Sequence, residues 1–249
     1  MITILVCVSP RETTALGAFV GISGQRPTGT RATGQRVNAL LTQPHNNIMN
    51  RNKGSKANQW QDHYTRRAQK ENYPARSVYK LAEIQQKHRI IAKGDRVLDL
   101  GCAPGSWLKY AAEQTGPGGT VLGVDLTPVT ERLPSNVRTL VGDIHQLRAN
   151  AAEAIGQGFQ VVLSDMAPST TGDRFGDGVR SFELCQAALA VADELLQPGG
   201  RFVCKIFQSE DFKAFCDQVK SRFDRMHIFK PQSSRKASRE IFIIGLGKK

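Results

Sequence analysis

The stretch that decides the fold is Val97-Leu98-Asp99-Leu100-Gly101-Cys102-Ala103-Pro104-Gly105-Ser106-Trp107. A short apolar run ends in an acidic residue, Asp99; a loop of small residues follows, and then a helix-compatible segment opens. This is how a chain passes from a buried parallel strand into a helix while bringing its backbone close to a ligand. Glycine permits the required φ and the close approach. The N–H groups that open the following helix favour anionic or polar ligand groups. A loop of this kind predicts an α/β enzyme with a bound cofactor.

Outward from that loop, apolar strands and helices alternate. The pattern predicts strands at 96–100, 120–125, 137–141, 160–164 and 201–206, with helices at 107–114, 146–155, 179–196 and 211–222. Two late strands follow near 226–229 and 240–245, and residues 60–92 read as helical, with Tyr64, Ala68, Val78, Leu81 and Ile84 as buried candidates. Helix 179–196 is stopped by Pro198-Gly199-Gly200. Apolar strands interleaved with helices imply a parallel sheet covered on both faces. Ligands in such sheets bind at the carboxyl ends of the strands.

Composition narrows the partners. The chain has 249 residues, 34 Lys and Arg against 22 Asp and Glu, and a formal net charge of +12. That excess points to a polyanion, nucleic acid before an anionic membrane. No run approaches the roughly 18 apolar residues of a membrane span. The five cysteines, Cys7, Cys102, Cys185, Cys204 and Cys216, lack metal-type spacing. They read as reduced thiols in a cytoplasmic protein.

Residues 1–56 differ from the rest. They carry Arg11, Arg26, Arg31, Arg36, Arg51, Lys53 and Lys56 against the single acid Glu12, with weak periodicity. This segment is expected to be a basic, disordered N-terminal extension or the product of an upstream start codon, Met49 being the alternative start. Its composition also fits a mitochondrial transit peptide. Residues 57–249 form the predicted catalytic domain.

The strand ends carry a consistent set of residues. Asp125 closes the second strand about 20 residues after the glycine loop, a spacing suited to accepting both ribose hydroxyls of a nucleoside. Gly142-Asp143 closes the third strand, Ser164-Asp165-Met166-Ala167-Pro168 the fourth and Cys204-Lys205-Ile206 the fifth. Any one such aspartate is as often a cap or turn former; three at successive ends are not. Gly101-x-x-x-Gly105 is neither a dinucleotide fingerprint nor a P-loop. It fits S-adenosylmethionine, a nucleoside cofactor without phosphates.

At this point a resemblance emerges. The segments Asp99–Trp107, Ser164–Pro168 with Gly172, Pro198–Gln208, Lys230–Ile241 and Ala75–Leu81 resemble the FtsJ/RrmJ family of RNA ribose 2′-O-methyltransferases. The resemblance spans about residues 60–247. It implies a Rossmann-like class I methyltransferase fold, with a seven-stranded, mostly parallel sheet, helices on both faces and an antiparallel last strand inserted into the sheet. It also implies a catalytic tetrad of Lys80, Asp165, Lys205 and Glu240, and cofactor contacts from Gly105, Trp107, Asp125, Asp143 and Asp165. Two departures are small residues expected to have little effect: Ser106 and Cys102 stand where a bacterial member has glycine and alanine. The bacterial branch implies a uridine of 23S rRNA in the large (50S) ribosomal subunit as substrate, and a monomeric enzyme without a membrane partner.

Transfer to a ribose hydroxyl needs a base, and Lys205 is the expected one, with Lys80 and Glu240 positioning substrate or tuning charge. An ordinary lysine titrates near about 10.4; positive neighbours and desolvation both favour the neutral amine, while Asp165 and Glu240 pull the other way. Taken singly, Lys205 or Glu240 would be an unremarkable surface charge. RNA contacts are expected from Arg66, Arg67, Lys70, Arg76, Lys230, Arg235, Lys236 and Arg239, the last four in a polar, basic segment suited to phosphates. Trp107, opening a helix behind the loop, suits a cofactor-side or core role better than base stacking. The rivals are the same chemistry on tRNA, mRNA caps or mitochondrial rRNA, and a non-catalytic RNA-binding or assembly protein.

Overall fold

The computed structural model describes the backbone of residues 5–7 and 56–62, and residues 63–147 and 150–249 in full. Two compact units divide the chain, Met1–Val8 with Ser55–Lys249, and Ser9–Gly54; the second lies outside the described residues, as does most of the expected basic extension.

The strands are β1 (Leu5–Cys7), β2 (Arg96–Leu100), β3 (Thr120–Asp125), β4 (Val137–Val141), β5 (Phe159–Ser164), β6 (Leu196–Phe207), β7 (Phe223–Phe229) and β8 (Glu240–Lys248). The helices are α1 (Lys56–Lys70), α2 (Val78–His88), α3 (Ser106–Thr115), α4 (Ile144–Leu147), α5 (Ala151–Ile155), α6 (Arg174–Leu195) and α7 (Phe212–Arg222). The sheet runs β1-β4-β3-β2-β5-β6-β8-β7. Strands β4, β3, β2, β5 and β6 are parallel neighbours, and β8 lies antiparallel between β6 and β7. These are the seven strands expected, with the short β1 added antiparallel at the β4 edge.

Both faces of the central strands β2, β5, β6 and β8 are buried, which is why these read as apolar runs rather than alternations. Leu98, Leu100, Val162 and Phe202 pack on one side with α6 and α7. Val97, Val161, Leu163 and Val203 pack on the other with α2 and α3. At the amino ends of the strands, Arg201 grips both carboxylate oxygens of the buried Asp95, at 3.0 and 2.9 Å.

Three helix expectations need correction. The span 60–92 is two helices, because Asn72 turns to φ 60° and Pro74 has no N–H to continue the ladder. The span 146–155 is likewise two short helices, with Asn150 at φ −153°, ψ 42° breaking them. Helix α6 starts at Arg174 rather than 179, because the Asp173 carboxylate accepts the N–H groups of Phe175 and Gly176. Gly176 and Gly178 obscure this start in the sequence, yet Gly178 lets the helix dock, since a Cβ there would come within 2.9 Å of Ser209 Cβ.

The strand order reverses at β2, whose neighbours β3 and β5 lead the chain to opposite sides. Crevices outside the carboxyl ends at such a switch point are where ligands bind in open α/β sheets.

Candidate active site

A cavity of about 380 Å³ occupies that crevice. It is lined by Leu100 and Gly101 from the end of β2, Asp125 and Leu126 from β3, Gly142 and Asp143 from β4, and Asp165, Met166 and Ala167 from β5. The described lining carries three carboxylates and neither lysine nor arginine. Such a wall repels phosphates and suits a cationic ligand that offers hydroxyl and amine donors.

Local backbone fixes each acid. Asp125 accepts the Ala103 N–H at 2.9 Å and the Thr127 N–H at 2.8 Å, tying strand β3 to the glycine loop. Asp143 accepts the His145 N–H at 2.8 Å in an Asx turn that starts α4. Gly101 sits at φ +77°, and a Cβ there would approach Met166 Cγ to 2.4 Å, so the loop and the end of β5 are in intimate contact. Gly105 (φ 109°) caps α3 without a side chain.

Two expected cofactor residues stand off this wall. Gly105 and Trp107 are not among the lining residues. The Trp107 indole is buried, stacks on Phe242 with ring centroids 6.0 Å apart, and donates from Nε1 to the Ser77 carbonyl at 2.9 Å. It thereby pins the start of α2, which bears Lys80. Ser106 corrects the expectation of little effect. Its buried Oγ accepts the Ala75 N–H at 2.7 Å, a second clasp on the same segment that glycine could not make. Cys102 is buried under Gly123, and burial pushes its thiol up. The four cysteines whose side chains are described, Cys102, Cys185, Cys204 and Cys216, are free and buried.

Beside the cavity, the four tetrad residues converge from four elements. Lys205 Nζ lies 2.9 Å from Asp165 Oδ1 and also donates to the Asp165 carbonyl. Lys80 Nζ lies 2.9 Å from Glu240 Oε2 and 3.6 Å from Asp165 Oδ1. The result is a chain Lys205–Asp165–Lys80–Glu240 with two charges of each sign. The register Phe207↔Glu240 explains the fourth member: β8 is antiparallel, so its first residue lies at the carboxyl end of β6. Burial pushes the Glu240 carboxyl up, but Lys80, the Ser234 hydroxyl and Lys205 outweigh it and hold the group below its ordinary range.

Asp99, in the decisive stretch itself, is buried with neither carboxyl oxygen hydrogen-bonded. Burial, Asp165 and Asp125 push its carboxyl well above the ordinary range. Sequence reasoning placed it at a strand end without a role. Leu126 was also missed, an apolar side chain 70% exposed directly after the Asp125 turn.

The basic residues divide into two groups. On α1, Arg66 and Lys70 are exposed, and Arg67 pairs with Glu71 at 2.8 Å. The Lys230–Arg239 segment is anchored to α2, because Glu83 accepts the N–H groups of Gln232 and Ser233 at 2.6 and 2.9 Å. Lys230, Arg235 and Lys236 are exposed on it. Arg76 turns inward and donates to the Ser233 carbonyl at 3.3 Å, where burial and Arg235 lower its affinity for its proton. Arg239 donates to the Arg174 carbonyl at 3.0 Å and lies over the Phe207 ring.

Comparison with known proteins supplies the family and the fold. The profile of the FtsJ-like methyltransferases matches residues 73–248. A ribosomal RNA large subunit methyltransferase E from Desulforapulum autotrophicum is 60% identical over 194 residues, covering 78% of this chain and 96% of the relative. The namesake from Desulfatibacillum aliphaticivorans is 52% identical, covering 77% and 93%. A ribosomal RNA methyltransferase structure from Plasmodium falciparum superposes with TM-score 0.61 at 24% identity, over 71% of this chain and 98% of that one. Fibrillarin from Aeropyrum pernix, solved with natively bound S-adenosyl-L-methionine, superposes with TM-score 0.50 at 19% identity, over 68% and 76%. The two structures establish the class I methyltransferase fold.

Proposed function

Since the chain belongs to the FtsJ-like methyltransferase family, we propose that it transfers a methyl group from S-adenosylmethionine to the ribose 2′-hydroxyl of a uridine in 23S rRNA. The observation that carries the reading is the juxtaposition of an acid-lined cavity with the Lys205–Asp165–Lys80–Glu240 chain, Asp165 belonging to both. The high identity to relatives named for large-subunit rRNA supports the substrate.

The cavity fits the cofactor by its chemistry. Asp125 would accept from the ribose hydroxyls, Asp143 from a purine amine, and Asp165 would face the positive end, while Leu126 offers apolar surface to the purine. When bound, S-adenosylmethionine supplies an electrophilic methyl on a sulfonium. The chain's own residues do the rest. Asp165, through its side chain and carbonyl, aims the Lys205 amine, and Lys205 as the neutral base takes the 2′-hydroxyl proton as that oxygen attacks. Lys80, held by Glu240, keeps Asp165 in place and offers a positive charge to the incoming ribose-phosphate. Arg66, Arg67, Arg76, Lys230, Arg235, Lys236 and Arg239 would supply the phosphate contacts, the exposed Lys230, Arg235 and Lys236 most directly. Binding should therefore weaken steeply as salt rises. The same reading has the enzyme work as a cytoplasmic monomer; among the described residues no helix is long and apolar enough to cross a membrane.

Incubation with labelled cofactor and, in parallel, large-subunit particles, free 23S rRNA and tRNA tests the proposal. Label mapped to a ribose of 23S rRNA is the expected result. Label confined to tRNA overturns the substrate, and no label despite cofactor binding overturns the activity.

A further inference from the structure

Among the described residues, three large hydrophobic side chains are strongly exposed: Leu126 at 70%, Phe175 at 68% and Ile228 at 49%. Leu126 lines the cavity and Ile228 lies on the edge strand β7. Phe175 has no such explanation. It occupies the first turn of α6, and α6 follows β5, so this turn lies at the carboxyl edge of the sheet with the tetrad.

The turn is held rigidly. Asp173 caps it, and the Asp177 carboxylate accepts the Thr171 N–H at 3.0 Å and pairs with Arg180. The Ser181 hydroxyl accepts the Phe207 N–H at 3.0 Å, joining α6 to the end of the strand that bears Lys205. Arg239, the residue before Glu240, donates to the carbonyl of Arg174, the residue before Phe175. Phe175 is thus coupled through short links to two tetrad strands. Its helical neighbours Gly176 and Gly178 present no side chains to flank the ring, while Arg174 beside it is exposed.

We propose that Phe175 is a stacking platform for an unpaired RNA base flanking the methylated nucleotide, and so a substrate-positioning residue for the reaction. This rests on reading the chain as an rRNA methyltransferase. Proteins that act on RNA ribose or base atoms engage unstacked nucleotides, and a rigid aromatic ring beside cationic side chains is the surface that receives a splayed base. An exposed ring on a fixed helix turn loses little freedom when a base covers it.

The test uses the full chain with unmodified 23S rRNA, naked and in large-subunit particles, at one salt concentration. It reads KM for RNA, kcat, RNA affinity by filter binding and cofactor affinity by calorimetry. Phe175→Ala is expected to weaken RNA affinity and raise KM for RNA about 5- to 100-fold, with cofactor affinity and melting temperature unchanged. Phe175→Trp should retain binding, and Phe175→Leu, which keeps apolar bulk without the ring, should resemble the alanine variant. Unchanged RNA affinity in Phe175→Ala overturns the proposal, as does a leucine variant equal to the parent. A defect seen only with assembled particles also overturns it, because the ring then meets a ribosomal protein. A parent chain that binds rRNA through Phe175 yet methylates none of it refutes the methylation reading and leaves stacking intact.

Discussion

Along one sheet edge, the protein handles charge in two opposite ways. At the ends of β2, β3 and β4 the carboxylates Asp125 and Asp143 are oriented by backbone N–H groups and face a cavity without lysine or arginine in its described lining. At the ends of β5, β6 and β8 the carboxylates Asp165 and Glu240 are matched one for one by Lys205 and Lys80. The first arrangement leaves negative charge available to a ligand; the second engages it internally and keeps two lysine amines in place. On the proposed function the difference has a use: the open carboxylates would receive a cationic cofactor and the paired ones would hold an amine in register. Asp165 belongs to both arrangements, so it would link the cofactor to the base.

The sharpest way to break this division is Lys205→Ala. Turnover is expected to fall about 10²–10⁴-fold, with cofactor affinity by calorimetry preserved; near-parental kcat would dissolve the distinction. On the other side, Asp125→Ala should weaken cofactor binding about 10- to 100-fold, the worth of hydrogen bonds to a charged group. RNA affinity in filter binding should not change, and an equal loss in both would mean the cavity is not separate from the RNA surface.

Glu240→Gln probes the paired side through stability. The folded group is held below its ordinary range, so its stabilisation is complete above the unfolded value of 4.5 and is lost as pH falls through the folded value. Chemical denaturation should find the variant less stable by about 1–3 kcal/mol at pH 7, with the gap closing towards pH 3. The second stability effect, a slope in pH rather than an offset, belongs to Asp99, whose folded value is raised. Folding then prefers the protonated acid, and stability declines as pH rises above the ordinary aspartate range. Relative to Asp99→Asn, the parent should lose up to about 1.4 kcal/mol per pH unit until the folded value is reached. Parallel pH profiles for the two proteins would place the group in a more polar setting than the fold gives it.

The legible part of the fold was the part written in local pattern. The runs at 96–100, 120–125 and 137–141 match their strands residue for residue; β2 is apolar because both its faces are buried, whereas β4 carries the exposed Arg138 and is legible by its place in the alternation. Boundaries failed where a side chain overruled propensity. Asp173 starts α6 ahead of two glycines, and Asn72 with Pro74 splits the first helical span. At the site, the acids after the glycine loop could be read from spacing. For Trp107 the core role was legible but its partners were not, since Ser77 and Phe242 are 30 and more than 100 positions away along the sequence. Ser106 was misjudged by size alone, because its value lies in the hydroxyl that receives the Ala75 N–H.

By itself, the sequence determined the alternation of strands and helices, the conformation of the glycine loop, the basic charge and the family resemblance. All of these depend on neighbours within a few positions or on motifs in order. Only the tertiary structure decided that Lys80 meets Glu240 across 160 positions, that Asp165 serves both cavity and tetrad, and that Asp99 is sealed without a partner. The physical reason is that strand order and antiparallel register bring distant side chains within hydrogen-bonding range. Energies at that range depend on burial and on the neighbouring charges, which no local periodicity records.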